Sequence, residues 1–325
     1  MILDVHIHAW RFPEDFDMPS FRSHTLPERQ RDYPEERLKP GWGAPPENYL
    51  KEIEGLDIKG LIVGVYFGKT WGINVSNDWM ADVVKKYPEK FDFICDLDVE
   101  DVSAAVKELE RCVKELGAVG LKLGPAYQNF KANDEKYYPI YEKAQELDIA
   151  ISFHSGHTYP TTARLKYAKV LDLDDIAIDF PKLRIVVCHM GSYSYEDTVA
   201  LMGKHDNVFA DISPLATFAG LDRKALNPLV PVVDYPYFHF LYPLMWSMTY
   251  CRPRDTTSKL LFGSDWPMCS PRTYVELLKY ENMKALLKEY NLPPIPRGTL
   301  DAILNRNWRQ VYPQVKRGVK KRGGV

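Results

Sequence analysis

Eight short apolar runs recur along this chain, and stretches with helical periodicity separate them. The runs occupy residues 2–8, 60–67, 91–97, 119–123, 149–154, 183–189, 207–212 and 259–263. One separating stretch, 102–116, carries apolar residues three or four positions apart, as one face of a helix requires. Strands that alternate with helices form parallel sheets, and eight such units close into a barrel. We therefore predict an α/β fold, a (β/α)8 TIM-type barrel.

An open, doubly wound parallel sheet is the alternative that the same alternation allows. No G-x-G-x-x-G motif follows the first run, although that motif is typical of such a sheet. The length of 325 residues, with 45% hydrophobic residues, suits one barrel with insertions. We expect a single barrel domain over residues 1–312 and a solvated basic tail over residues 313–325.

The net charge and the cysteine content indicate which kinds of partner and which cellular compartment to expect. A formal net charge of −2 gives no reason to expect nucleic acid or an anionic membrane as a partner. No run approaches the roughly 20 apolar residues of a membrane span, and the first residues do not resemble a signal peptide. The five cysteines include no C-x-x-C pair, which favours a reducing compartment. We expect a cytoplasmic protein that acts on a small molecule.

Three long connections follow predicted strands, at residues 9–45, 124–135 and 213–258. Long loops in a compact domain usually serve as lids or binding loops. In a barrel, all three would emerge at the carboxyl ends of the strands, where barrel enzymes hold their active sites. Within the third connection, residues 232–250 are rich in tyrosine and phenylalanine, and a homodimer interface or a buried lid helix would each explain that composition.

Four of the eight histidines lie at the ends of predicted strands, and an aspartate follows the last strand. His6 and His8 end the first strand two residues apart and therefore point to the same side. His154 ends the fifth strand, His189 ends the sixth, and Asp265 follows the eighth. Any one such histidine is most often a buried residue with an ordinary hydrogen bond, but five groups that converge on one barrel mouth favour a metal site.

The motifs around these residues resemble those of the amidohydrolase superfamily. They read DVHIH at 4–8, FHSG at 153–156, VCHMG at 187–191 and FGSDWP at 262–267. Their order is most similar to the amidohydrolase 2 branch of metal-dependent hydrolases and aminocarboxymuconate-semialdehyde-type decarboxylases. Segments 139–144, 207–211 and 305–308 are also similar to that branch, so the resemblance runs to about residue 312.

This resemblance implies a role for each of the five residues. His6, His8, His154 and Asp265 would bind one divalent metal ion and leave a position open for water. His189 would act as an acid or base beside the ion, and Asp265 would also accept a proton. Zinc suits three imidazoles and one carboxylate, while manganese, iron and cobalt are alternatives.

Lys122 ends the fourth predicted strand and alternates with Leu121 and Leu123. It should therefore face the barrel mouth, where it would contact a substrate anion or a carboxylate. Some amidohydrolases carry a carboxylated lysine there that bridges two metals, so a second ion is an alternative. A lysine that reaches along the barrel rim to solvent is another.

Further residues are predicted to contact a substrate. Arg11 could hold a carboxylate through its planar guanidinium, while His157 and Trp266 closely follow two of the predicted ligands. Five other aromatic residues are expected at strand ends, where some of them would line the pocket: Trp10, Trp71, Tyr127, Tyr159 and Tyr193.

Three functions are consistent with these residues. In the first, which the superfamily favours, metal-activated water attacks the carbonyl group of a lactone, amide or ester. In the second, the metal and cationic side chains orient a hydroxybenzoate or muconate-type acid for non-oxidative decarboxylation. The aromatic loop residues and Arg11 support this second reaction. The third is a metal-binding barrel without catalysis, and the presence of His189 argues against it.

Overall fold

The strands of this protein form one parallel sheet that curves into a barrel. The computed structural model describes residues 1–192, 194–215, 237–249 and 256–316. The strands follow one another in chain order: β1 (Ile2–Ile7), β2 (Ile58–Val63), β3 (Phe91–Asp96), β4 (Gly120–Leu123), β5 (Ala150–Phe153), β6 (Ile185–Val187), β7 (Val208–Asp211) and β8 (Leu260–Leu261). The Val5 amide donates to the Phe262 carbonyl at 2.9 Å, which joins the last strand to the first. The predicted (β/α)8 barrel is confirmed, and each predicted run overlaps one strand.

Helices connect these strands and cover the outside of the barrel. In the described residues they are α1 (Met18–His24), α2 (Glu35–Trp42), α3 (Pro46–Glu52), α4 (Asn77–Lys86), α5 (Val102–Lys114), α6 (Pro125–Gln128), α7 (Tyr138–Glu146), α8 (Asp172–Asp179), α9 (Tyr195–Lys204), α10 (Tyr242–Thr249), α11 (Pro271–Leu277), α12 (Tyr280–Glu289) and α13 (Arg297–Asn305). Helix α5 begins where the Asp101 carboxylate accepts a hydrogen bond from the Ala104 amide at 3.0 Å. Its buried residues, Leu109 among them, recur at helical spacing and pack into the core.

The barrel interior is apolar toward the amino-terminal ends of the strands. Leu3, Leu61 and Ile94 belong to one buried cluster of alternate strand residues. Trp308 and Tyr312, which follow α13, pack into the same cluster and close that end of the barrel. Burial of these side chains stabilises the barrel and leaves its opposite end to polar groups.

The packed part of the chain continues slightly beyond the expected domain end at residue 312. Val315 is buried in the same interior cluster, while residues 317–325 of the expected basic tail lie outside the described residues. Among the helices that the structure describes, none combines the length and the apolar character that a membrane crossing requires.

The third long connection is described only in part. Residues 216–236 and 250–255 lie outside the described residues, and so do both ends of the tyrosine- and phenylalanine-rich segment 232–250. Its described part is a π-helical turn (Tyr237–Leu241) followed by α10. Phe240 and Leu244 are buried in the main core there, which accounts for part of the segment's apolar composition. The homodimer stays a prediction.

Candidate metal centre

The side chains of His6, His8 and Asp265 meet at the carboxyl ends of β1 and β8. The Nε2 atom of His6 lies 3.4 Å from Asp265 Oδ1, and the Nε2 atom of His8 lies 3.0 Å from the same oxygen. Backbone pairing sets these positions, because the Asp265 amide donates to the His6 carbonyl at 2.7 Å and the His8 amide donates to the Trp266 carbonyl at 2.9 Å. The three side chains thus offer ligand atoms within 4.8 Å of one another.

Asp4 holds the turn that carries Asp265. Its carboxylate accepts hydrogen bonds from the Ser264 amide at 2.8 Å and the Ser264 hydroxyl at 2.6 Å. Asp265 itself has a left-handed backbone with φ of 57°, a conformation that costs energy for most residues other than glycine. Burial raises the pKa of Asp4 to about 7, although its hydrogen bonds act in the opposite direction. No role for Asp4 was predicted from the sequence, where only its place in the first motif marks it.

Acceptors contact the Nδ1 atoms of both β1 histidines. Nδ1 of His6 lies 3.1 Å from Asp211 Oδ2, and Nδ1 of His8 lies 3.3 Å from the Val63 carbonyl. With the proton held on Nδ1 by these acceptors, each Nε2 can offer its lone pair to an ion, while Nε2 of His8 also lies within hydrogen-bond distance of Asp265 Oδ1. Burial is the main cause that lowers the pKa of His6 well below its usual value, so this ring is neutral at pH 7.

This arrangement directs lone pairs of two imidazoles and one carboxylate toward a single point. Groups of that kind repel one another unless a positive charge lies between them. Nitrogen and carboxylate oxygen are ligands of zinc and of related divalent ions, and second-shell partners on Nδ1 are typical of metal-bound histidines. The side chains of His6, His8 and Asp265 therefore fit a bound divalent metal ion.

His154 and His189 form a second contact beside this group. His189 Nε2 lies 3.2 Å from His154 Nδ1, and the two ring centroids are 4.9 Å apart. His189 Nδ1 donates to the Ser213 carbonyl at 2.6 Å, and His154 Nε2 donates to the His157 carbonyl at 2.9 Å. The facing nitrogens consequently both carry lone pairs when the rings are neutral.

Burial keeps both rings neutral. Burial first, and the Lys122 cation second, lower the pKa of His154 to about 3. Burial and the neighbouring His6 lower the pKa of His189 well below its usual value. No proton therefore lies between His154 Nδ1 and His189 Nε2 at pH 7. A cation beside these two nitrogens would relieve the repulsion between their lone pairs. Among the described residues, two groups of three have ligand atoms within 4.8 Å of one another: His6, His8 and Asp265, and His6, His189 and Asp211. His154 lies beside both groups, and its role as a fourth ligand stays a prediction.

Asp211 contacts both His6 and His189. No role for it was predicted from the sequence. It ends β7, and its Oδ2 accepts from His6 while its Oδ1 accepts from the His189 amide at 2.9 Å and from the Ser213 hydroxyl at 2.5 Å. One carboxylate thus orients a predicted ligand and the predicted acid or base. Its position at a strand end is the same signal that identified the histidines.

Lys122 is almost completely buried at the base of the pocket, as the alternation in its strand predicts. Its Nζ lies 2.9 Å from the Cys188 sulfur. Burial raises the pKa of the Cys188 thiol, so this partner remains neutral. Lys122 therefore places an amine on the pocket wall, where no carboxylate of the described residues pairs with it, and its carboxylation and a second metal stay predictions.

A pocket lies above these residues, at the carboxyl ends of the strands. Its lining includes all the predicted ligands together with His189, Lys122 and His157. Burial lowers the pKa of His157, which is half-buried at the pocket edge. The other lining residues are Phe67, Trp71, Tyr127, Tyr159, Ser192, Pro214 and Met268.

Two predicted substrate contacts lie away from this pocket. The Arg11 guanidinium pairs with Asp15 at 2.5 Å and stacks on Trp79, so it is already engaged on the outer surface of the barrel. The backbone of Trp266 pairs with β1, which turns its ring onto Tyr49 of α3 at a centroid distance of 5.6 Å. Both side chains therefore have structural partners and are absent from the pocket lining, and their contact with substrate stays a prediction. Tyr193 lies outside the described residues.

Three stacked rings form one side of the pocket, and we call them the aromatic wall: Phe67, Trp71 and Tyr127. The Phe67 and Tyr127 centroids are 4.6 Å apart, and those of Trp71 and Tyr127 are 5.3 Å apart with 17° between the rings. Tyr127 also contacts the His154 ring at 4.5 Å. A flat, apolar surface therefore borders the predicted metal ligands.

Comparisons with known proteins agree with this geometry. A model of the amidohydrolase family matches residues 3–314. Over 133 residues, covering 35% of this chain and 39% of the relative, the chain is 33% identical to a 2-keto-4-carboxy-3-hexenedioate hydratase from Sphingobium. Over 96 residues, covering 28% of this chain and 29% of the relative, it is 34% identical to a gamma-resorcylate decarboxylase from Polaromonas. The chain thus matches less than half the length of these curated relatives.

Structural similarity to known proteins covers more of the chain than these sequence matches do. The crystal structure of a dihydroxybenzoic acid decarboxylase from Polaromonas, with bound manganese and the inhibitor 2-nitroresorcinol, aligns with a TM-score of 0.59 at 17% identity. That alignment covers 96% of this chain and 97% of the other. The family match, together with the converging ligands, favours catalysis over a barrel that only binds metal. The chain belongs to the amidohydrolase family and is a metal-dependent enzyme of that superfamily.

Proposed function

We propose that this enzyme removes a carboxyl group, without oxidation, from a small planar acid of the hydroxybenzoate or muconate type. The observation that carries the proposal is the aromatic wall beside the predicted metal ligands, since Tyr127 stacks with Trp71 and also contacts His154. A flat surface of this kind favours a conjugated substrate over a saturated one. The decarboxylases among the relatives are consistent with it.

The charged groups of the pocket suit an anionic substrate. Lys122 presents its Nζ at the base, where burial strengthens its attraction for a carboxylate. A divalent ion, when bound by His6, His8 and Asp265 with His154 beside them, would supply positive charge that orients the substrate oxygens. We propose zinc or manganese for that ion. The aromatic wall would hold the conjugated system flat between these charges.

The reaction replaces a carbon–carbon bond with a carbon–hydrogen bond. The electron pair of the broken bond stays on the ring or chain carbon and takes up a proton, while the carboxyl group leaves as carbon dioxide. His189 and Asp265 are the proposed proton carriers, because both are buried and line the pocket, with Asp265 in the ligand cluster and His189 beside it. Asp211 and Ser213 would keep His189 in place through its backbone amide and Nδ1.

Hydrolysis of a lactone or ester is the second candidate. The convergence of His6, His8 and Asp265 favours it equally, because the same three groups would hold an ion with a position open for water. The two reactions differ in their products, which separates them directly.

The test is to load the enzyme with zinc or manganese and incubate it with 2-hydroxybenzoates, muconate-type acids and aromatic lactones. We expect release of carbon dioxide and, in deuterated water, a product that carries deuterium at the former carboxyl carbon. Nuclear magnetic resonance detects that deuterium. His189→Asn should abolish turnover, while His205→Asn, a control at a histidine paired with Asp174 outside the pocket, should retain it. Opening of lactones without release of carbon dioxide would replace the proposal with hydrolysis.

A further inference from the structure

The Ser213 hydroxyl lies where three polar side chains of the site meet. Its Oγ is 2.5 Å from Asp211 Oδ1, 3.1 Å from His189 Nδ1 and 3.2 Å from His6 Nδ1. Ser213 is completely buried, so these contacts are shielded from water. His6, His189 and Asp211 are also the second group of three whose ligand atoms lie within 4.8 Å of one another. The hydroxyl therefore contacts every member of that group.

The contacts of this cluster indicate how its hydrogen atoms are shared. The Asp211 carboxylate accepts, so the Ser213 hydroxyl donates to it and keeps its two lone pairs for the histidines. With the proton on Nδ1, His189 shares its N–H group between the Ser213 carbonyl at 2.6 Å and the Ser213 hydroxyl. In the same way, His6 shares its N–H group between Asp211 Oδ2 at 3.1 Å and that hydroxyl. Both rings thus depend on one oxygen atom.

Packing fixes Ser213 beside the His6 ring. The carbonyl of the preceding residue, Ile212, accepts a hydrogen bond from the Tyr274 hydroxyl at 2.6 Å, which holds the backbone after β7. Gly263 allows the close approach, since a Cβ there would lie 3.1 Å from Ser213 Cβ and 3.0 Å from His6 Cβ. The contact between Ser213 and His6 therefore depends on a glycine at position 263.

The two rings that share this hydroxyl have different roles. His6 is a predicted metal ligand through Nε2, and an acceptor on Nδ1 raises the basicity of the ligating nitrogen. His189 is the proposed acid or base, and its ring centroid lies 4.9 Å from that of His6. Because one hydroxyl serves both N–H groups, a change in its bond to one ring changes its bond to the other.

We propose that Ser213 is a positioning residue whose hydroxyl couples the metal ligand His6 to the acid or base His189. Ser213 is absent from the pocket lining, so it acts through the two rings and not by contact with substrate. This inference rests on the proposed function for the role of His189 as a proton carrier. Loss of the hydroxyl weakens His6 as a ligand and removes one of the two acceptors that orient His189, so both functions decline together.

The first test is spectroscopic and needs no turnover. The histidine nitrogens of the zinc-loaded enzyme are isotopically labelled, and the two Nδ1–H signals are assigned by nuclear magnetic resonance from His6→Asn and His189→Asn. In Ser213→Ala we expect both signals to shift, because both N–H groups lose the same acceptor. Competition with a chromophoric chelator should show a zinc affinity reduced roughly 10-fold.

Turnover provides a second readout, and Ser247→Ala provides the matched control. At saturating zinc, Ser213→Ala should lower kcat about 10-fold, as the loss of one hydrogen bond predicts, and leave KM nearly unchanged. The Ser247 hydroxyl is also buried and donates to the Pro243 carbonyl at 3.0 Å, but it belongs to α10, which does not line the pocket. Ser247→Ala should leave the histidine signals, the zinc affinity and kcat unchanged.

The coupling requires that both histidines respond to the loss of one hydroxyl. The proposal is overturned if Ser213→Ala shifts only one of the two signals, if zinc affinity or kcat at saturating zinc keeps its wild-type value, or if Ser247→Ala has the same effects. Shifts of both signals without decarboxylation by the wild type would contradict only the proposed function. Decarboxylation by the wild type, with both signals unchanged in Ser213→Ala, would contradict only this inference.

Discussion

The two ends of the barrel interior differ in chemistry although the same strands supply both. On β3, Ile94 belongs to the apolar cluster, whereas Asp96, two residues later on the same face, is a buried carboxylic acid. On β7, Phe209 and Asp211 differ in the same way. The closed end is filled mainly by apolar side chains, and the open end by polar groups that each need a partner. Stability and chemistry are therefore separated along the barrel axis, and substitutions should separate them too.

The largest effect is expected at the open end. Asp265→Ala removes the carboxylate on which both β1 histidines converge, so the protein should lose its bound metal and its activity should fall on the order of 1000-fold. Metal content by plasma mass spectrometry and turnover of the best substrate measure both effects. The circular dichroism spectrum should remain that of the wild type. A variant that retains full metal content would contradict the assignment of Asp265 as a ligand.

A large-to-small substitution at the closed end should instead reduce stability and leave turnover nearly unchanged. Leu61→Ala leaves a cavity in the interior cluster, where Leu61 is completely buried. The free energy of unfolding should decrease by about 2–5 kcal/mol. Urea denaturation measures that loss, and turnover per folded molecule should stay within about 3-fold of wild type. A selective loss of turnover with unchanged stability would break the separation of the two ends.

Asp211→Asn should weaken metal binding without removing a ligand. Asparagine keeps an oxygen that can accept from one partner but not the charge that holds the His6 Nδ1 proton. Outer-shell changes of this kind typically reduce metal affinity roughly 10- to 100-fold. Competition with a chromophoric chelator measures the dissociation constant. An unchanged constant would show that Asp211 only supports the backbone near His189.

The buried acid on β3 should make stability depend on pH. Burial raises the pKa of Asp96 to about 7, although hydrogen bonds from the Tyr66 and Leu97 amides lower it. The folded protein therefore holds a proton that the unfolded chain releases near the ordinary aspartate pKa of 3.8, so this group's contribution to stability decreases as pH rises from about 4 to 7. Asp96→Asn should flatten that part of the curve. The free energies of unfolding of the wild type and Asp96→Asn across this pH range provide the measurement. Parallel curves for the two proteins would show that Asp96 does not cause the pH dependence.

The smallest effect is expected at the boundary between the two ends. The Tyr312 hydroxyl lies 3.1 Å from the Ser152 hydroxyl, and Tyr312→Phe removes this hydrogen bond while the ring remains. Stability should decrease by about 1 kcal/mol with no change in turnover. Thermal unfolding and initial rates measure the two quantities. A change in turnover would mean that the polar network of the pocket extends down to Tyr312.

The fold and the positions of the polar strand ends could be predicted because both depend on local patterns. Alternating apolar residues mark the strands, and a histidine that ends such a run must face the barrel mouth. Asp211 satisfied the same criterion in the run 207–212, but a single aspartate at a strand end has many ordinary explanations.

Contacts between side chains could not be predicted in the same way. Arg11 was expected to hold a substrate carboxylate, but Asp15, four residues later, provides one within the same loop. Trp266 follows a predicted ligand, yet the pairing of its backbone with β1 decides where its ring points.

The ligand cluster joins the beginning of the sequence to a segment near its end. His8 and Asp265 are 257 residues apart, so a ribosome that adds about 5–20 residues per second needs roughly 10–50 s to supply the second after the first. Until then, His6 and His8 emerge without the carboxylate that completes their site. We therefore expect a metal ion to stabilise the finished barrel and to have little influence on the early stages of its synthesis.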